Sequence, residues 1–84
     1  MPGWTLKAHP DFLAMLYTLP RGEAAKVTEA IRGLAIDPTP PTSTPIEDRP
    51  GRRMLPIDVY TVTYEIREDQ AAIRLLILRR IPNR

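Results

Sequence analysis

Two apolar runs of strand length, separated by four polar residues, constrain this chain more than any other feature. Val59-Tyr60-Thr61-Val62-Thr63-Tyr64-Glu65-Ile66 is β-branched or aromatic almost throughout, and Ala72-Ile73-Arg74-Leu75-Leu76-Ile77-Leu78 is a second apolar run. Side chains of these kinds fit a pleated, half-buried surface. Arg67-Glu68-Asp69-Gln70 between them is a connection of hairpin size. Ile57 to Arg80 is therefore predicted to form one β-hairpin. A two-residue turn at Glu68-Asp69 sets Arg67 against Gln70, Tyr64 against Ile73, Val62 against Leu75 and Tyr60 against Ile77. Opposed residues share a face. That register gives an apolar core face and leaves Thr61, Thr63, Glu65, Arg74, Leu76, Leu78 and Arg80 on the other side. A one-residue change in turn length would exchange the assignments of the second strand.

The chain has 84 residues, which predicts a single domain over 1–84. A core of that size supplies only about 3–5 kcal/mol, so a partner or oligomerisation is expected. Cysteine is absent, which excludes disulfides, thiolate nucleophiles and thiolate metal sites. Met1 to Lys7 lacks a continuous apolar stretch, and no run approaches membrane-spanning length. The expectation is a soluble cytoplasmic protein without a membrane, metal or small-molecule cofactor. The formal net charge is +2, but residues 49 to 84 hold eight arginines while both lysines precede residue 27. An arginine-weighted half suits RNA or an acidic protein partner. Arg67 and Arg74 also read as solvated strand positions, since they alternate with apolar residues.

Trp4 to Ala8 alternates as a short first strand, and His9-Pro10-Asp11 then begins a helix, because proline suits a first turn and Asp11 complements its exposed amides. Phe12, Met15, Leu16 and Leu19 form its apolar stripe, with Leu13 and Tyr17 off it. His9, the one histidine, reads as a capping or surface residue, with no Ser or Cys partner. A second helix over Glu23 to Ile36 aligns Ala24, Val27, Thr28, Ile31, Leu34 and Ala35, and Asp37-Pro38 stops it. Pro38 to Pro45 has no apolar residue besides proline and is expected to be an extended, exposed, unpacked loop. Met54-Leu55-Pro56-Ile57 suits a strand in which Pro56 sits at an edge, bulge or strand end. The predicted fold class is α+β: an N-terminal strand, a two-helix hairpin, then three antiparallel strands, with the helices on one sheet face.

In that order, these elements and their local residues resemble the RelE/ParE superfamily of toxins from bacterial type II toxin–antitoxin modules. The resemblance spans nearly the whole chain. Leu34-Ala35-Ile36-Asp37-Pro38 stands where the family has "L…dP", Val59 to Ile66 where it has "dYRviYei", and Leu78-Arg79-Arg80 where it has "i.hR".

The resemblance implies a RelE-like toxin that cuts mRNA in the ribosomal A site, the RNA's own 2′-hydroxyl attacking the adjacent phosphate. Such chemistry needs cations around the phosphate and groups that manage protons. The resemblance assigns the catalytic positions to Arg52, Arg53 and Arg80 and an RNA contact to Arg79; Arg74 and Thr61, on the same mixed face of the hairpin, are further candidate RNA contacts. Thr61 stands where the family has an arginine, Met54 and Pro56 where basic residues are common, and no terminal tyrosine is placed. These departures imply a weakened ribonuclease. The alternatives are a ParE-like toxin that blocks DNA gyrase and a degenerate homologue that only binds antitoxin. The implied partner is a cognate antitoxin that folds on binding, anchored at Leu76, Leu78, Leu13 and Tyr17.

Overall fold

Described over residues 3 to 82 by a computed structural model, the chain runs β1 (Thr5–Ala8), α1 (Pro10–Leu16), α2 (Arg21–Leu34), β2 (Thr44–Pro45), β3 (Arg52–Ile57), β4 (Tyr60–Arg67) and β5 (Ala72–Arg80). Met1, Pro2, Asn83 and Arg84, part of the terminal segments read above, lie outside the described residues. The expected α+β order is present, with one addition. β2 pairs with β3 as a fifth strand, giving the sheet order β1-β5-β4-β3-β2. β1 lies parallel to β5, and the other pairings are antiparallel.

Both helices form where local chemistry favours them. His9 caps α1 by accepting the Asp11 amide on Nδ1 at 3.0 Å, and Pro10 occupies the first turn. In α2, Val27, Ile31 and Leu34 are buried, as the spacing predicts. Together with Phe12 they pack against Leu55, Tyr60, Val62, Tyr64, Ile73, Leu75 and Leu78 on one sheet face. Each large side chain buried there contributes about 1.5–3 kcal/mol relative to exposure.

Two features of the hairpin differ from the expected register. The connection is a 3₁₀ turn over Glu68–Gln70 closed by Ala71 in the left-handed region (φ +50°), so Arg67 pairs with Ala72 rather than Gln70. The shift relative to the expected pairing is two residues, which preserves the faces: Tyr64 opposes Leu75 and Ile66 opposes Ile73. Beyond them the ladder slips by one residue. Tyr64 pairs with Leu75 but Thr63 pairs with Ile77, leaving Leu76 as the extra residue of a β-bulge. From the bulge onward the faces exchange. Leu78 turns into the core opposite Val62, only 5% exposed, whereas Ile77 is 48% exposed, the reverse of the expected assignment.

The proline-rich loop is also not free of packing. Ser43 is buried and bonds the Pro40 carbonyl through its amide (2.9 Å) and its hydroxyl (2.8 Å), while the Tyr64 hydroxyl donates to the Pro38 carbonyl at 2.7 Å. Pro56 behaves as expected of proline in a sheet. β2 covers β3 only at Arg53 and Met54, so Pro56 pairs with Thr61 on one side where no strand lies on the other. Gly51, leading into β3, has φ +83°, and a Cβ there would meet the Ile66 carbonyl oxygen at 3.3 Å, so this entry needs glycine.

Candidate nucleic-acid interface

The face of the sheet away from the helices carries one continuous row of charge. Lys7 of β1 stands beside Arg74 of β5, Arg74 beside Glu65 of β4, and Glu65 beside Arg52 of β3. Adjacent strands lie about 4.8 Å apart, so this row crosses roughly 14 Å of sheet. Three of its four members are cations. The Glu65 carboxylate lies 3.4 Å from the Arg74 guanidinium and 3.9 Å from that of Arg67 along the same strand, with Arg67 also 3.4 Å from Asp69. Glu65 therefore orients Arg74 and Arg67 on this face while offsetting part of their charge.

The row borders a trough. A cleft of about 320 Å³ is lined by His9, Asp11, Arg52, Arg74, Leu76 and Ile77. A second, of about 230 Å³, continues it toward β1 and adds Lys7, Ala8 and Pro10. The bulge supplies the floor, because it places both Leu76 and Ile77 on this side. Cationic walls over an aliphatic floor suit a chain that presents phosphates and flat apolar rings, as single-stranded RNA does.

The predicted site residues divide. Arg52 and Arg74 share the row, and Thr61 stands opposite Arg79 on the same face, four residues along β4 from Glu65 or about 13 Å away. Arg53 and Arg80 do not join them. Arg53 opposes Tyr64 and bonds the Ser43 hydroxyl (3.0 Å) and carbonyl (3.1 Å), so it tethers the proline-rich loop. Arg80 opposes Tyr60, placing it with the helices, because the bulge reverses the last part of β5. Of the expected antitoxin anchors, Leu78 is in the core, Leu76 and Leu13 are half-buried, and Tyr17 is 78% exposed.

Lys7, His9 and Asp11 were not assigned to this surface from the sequence. The alternation of Lys7 in the first strand places it on a solvent face, but joining it to Arg74 requires the parallel β1–β5 pairing. That contact links the two ends of the chain.

No protein-family model matches the sequence, and no curated protein matches it. In three dimensions the chain resembles the RelE toxin of the archaeal RelE–RelB complex from Pyrococcus horikoshii with a TM-score of 0.86 at 18% identity, over 98% of this chain and 99% of that one. This chain has the RelE fold. The isolated Escherichia coli RelE toxin matches with a TM-score of 0.86 at 8% identity, covering 96% of this chain and 87% of its own. The toxin–antitoxin complex RelBE2 from Mycobacterium tuberculosis matches at 0.79 and 21% identity, over 93% and 98%. These matches span 98%, 96% and 93% of this chain. Among the described residues no helix is long and apolar enough to cross a membrane.

Proposed function

We propose that this protein is the toxin of a toxin–antitoxin pair, acting in the cytoplasm as a RelE-like, ribosome-dependent ribonuclease of reduced activity. The observation that carries the reading is the cation row Lys7–Arg74–Arg52 on the free face of a RelE fold matched end to end. Arg52 and Arg74 hold the phosphate of a bound mRNA, and Thr61 supplies no cation where the resemblance implies one. With a net charge of +2, attraction to free RNA is modest and salt-sensitive, so the ribosome contributes most of the affinity.

A cognate antitoxin is the second partner. Tyr17 at 78%, Ile36 at 86% and Ile77 at 48% exposure leave apolar surface for a segment that folds on binding. Ile77 takes the anchoring place expected of Leu78.

The test is expression without antitoxin, with mRNA ends mapped on translating ribosomes. Weak cleavage is expected, lowered about 100-fold by Arg52→Ala or Arg74→Ala, raised by Thr61→Arg and little changed by Arg80→Ala. Growth arrest with no cleavage, accompanied by trapped gyrase–DNA complexes, would replace this reading with the ParE-like one.

A further inference from the structure

The chain's one histidine stands between the cap of α1 and the charged trough, and its two ring nitrogens face different tasks. Nδ1 accepts the Asp11 amide at 3.0 Å. An acceptor nitrogen carries no proton, so in the uncharged ring the proton resides on Nε2. The cap therefore selects a tautomer whose remaining nitrogen is a hydrogen-bond donor and not a base. His9 lines both parts of the trough, alongside Arg74 in each and Arg52 in one. Its side chain is 45% exposed, and among the described residues Nε2 makes no hydrogen bond.

We propose that the trough is a phosphodiester-binding site in which His9 Nε2–H, Arg74 and Arg52 converge as donors on one phosphate of a single-stranded RNA. The proposal rests on the RNA-directed reading of this face and adds a donor from outside the sheet. The two guanidiniums supply charge and forked geometry from β5 and β3. His9 supplies a directional bond from the N-cap of α1, with Leu76 and Ile77 in the same trough offering apolar surface to the adjoining sugar or base. Among the described residues two carboxylates stand near this site: Glu65, between Arg74 and Arg52 in the row and 3.4 Å from the Arg74 guanidinium, and Asp11 on the trough wall. The Asp11 side chain is 89% exposed, so solvent screens it, and its oxygen lies 3.8 Å from His9 Nδ1, on the cap side of the ring. His9 would not relay a proton in this role; it is a binding and positioning residue whose bond fixes the phosphate against the arginines.

Because the sequence contains one histidine, a histidine-labelled sample reports this ring alone. The probe is a 2′-O-methyl tetraribonucleotide at millimolar concentration and low salt, followed by nitrogen NMR above neutral pH. The expected result is an Nε2–H tautomer in the free protein and a shift of Nε2, with Nδ1 little changed, on titration. His9→Ser keeps a capping oxygen and is expected to weaken binding about tenfold, with α1 intact by amide shifts. A morpholino oligomer of the same bases, whose backbone is uncharged, should leave the ring unmoved. If Arg52→Ala and Arg74→Ala weaken binding while His9→Ser does not, the histidine's part is overturned and the RNA-directed face stands. If the morpholino moves the ring equally, the ligand is read through its bases and the proposal fails. If the oligonucleotide does not bind, or none of the three substitutions changes its binding, this site is overturned; the RNA reading of the face falls with it only if Arg52→Ala and Arg74→Ala also leave cleavage on translating ribosomes unchanged.

Discussion

The Tyr60 hydroxyl donates to the Glu23 carboxylate, tying the first strand-pair position of β4 to the first turn of α2. The ring is buried, and the bond joins residues 37 apart in sequence. The hydrogen bond to Glu23 raises the tyrosine's pKa above its ordinary value near 10, burial adds to the rise, and the Arg80 charge opposes it. A raised tyrosine pKa stabilises the fold in full below the unfolded value. As pH climbs through about 10, the unfolded chain releases its proton first, and stability is lost up to the folded value. Chemical denaturation followed from neutral pH to strongly alkaline conditions should show this decline. Tyr60→Phe should flatten it, and an unchanged alkaline slope in that variant would assign the decline to other groups.

The bulge makes opposite forecasts for two neighbouring apolar residues. Leu78→Glu places a carboxylate in the core opposite Val62 and should cost more than about 4 kcal/mol, enough to unfold a chain of this size. Ile77→Glu places it on the outer face and should cost about 1 kcal/mol or less. Thermal melts of the two variants decide between this register and the regular one, which predicts the reverse order.

Arg53 is expected to matter for the loop before it matters for RNA. Arg53→Ala removes the bonds to the Ser43 hydroxyl and carbonyl and leaves Ser43 buried with fewer partners, so it should destabilise the fold by about 1–3 kcal/mol. Amide exchange should accelerate at Thr39, Thr42, Ser43 and Thr44, the residues of 38 to 45 that carry an amide hydrogen. Exchange unchanged in that segment would show that the Tyr64 bond, the Ser43–Pro40 bonds and the β2–β3 pairing hold the loop without Arg53.

Ala71 closes the 3₁₀ turn in a conformation that costs any side chain-bearing residue about 1 kcal/mol. Ala71→Gly should therefore raise the unfolding free energy by roughly 0.5–1 kcal/mol. The backbone bonds from Ala71 to Glu68 and from Thr5 to Ala71 need no side chain and should persist. A destabilised variant in urea titration would show that the added freedom of the unfolded chain outweighs the relief.

Most of the fold was legible because its elements announce themselves locally. The stripe Val27, Ile31, Leu34 and the alternation Tyr60, Val62, Tyr64 each place a face without knowledge of any partner. The turn is longer than the expected two residues, yet the even shift keeps Ile73 and Leu75 buried. What escaped were features that exist only through pairing. β2 is two residues long, one of them proline, and no pattern marks so short a strand. The bulge depends on how Tyr64 and Thr63 meet the partner strand, and it decided the fate of Leu78 and Arg80. Half of the candidate site was visible in Arg52 and Arg74. Lys7 and His9 joined it only through contact between the two ends of the chain.

The single extra residue at Leu76 gives β5 two independent phases. The stretch before it keeps time with Tyr64 and Ile66, the stretch after it with Val62 and Tyr60, and neither dictates the other. A deletion of Leu76 alone would restore strict alternation and leave the downstream faces as they are, Ile77 and Arg79 outward and Leu78 and Arg80 on the helix side. Keeping Leu76 but pairing it regularly with Thr63 would instead turn Ile77 and Arg79 inward and Leu78 and Arg80 outward, with no residue substituted. For this strand, the one extra position beside Tyr64 decides which later residues reach the core, and of all positions in β5 it is the one where loss of a residue should disturb the core least.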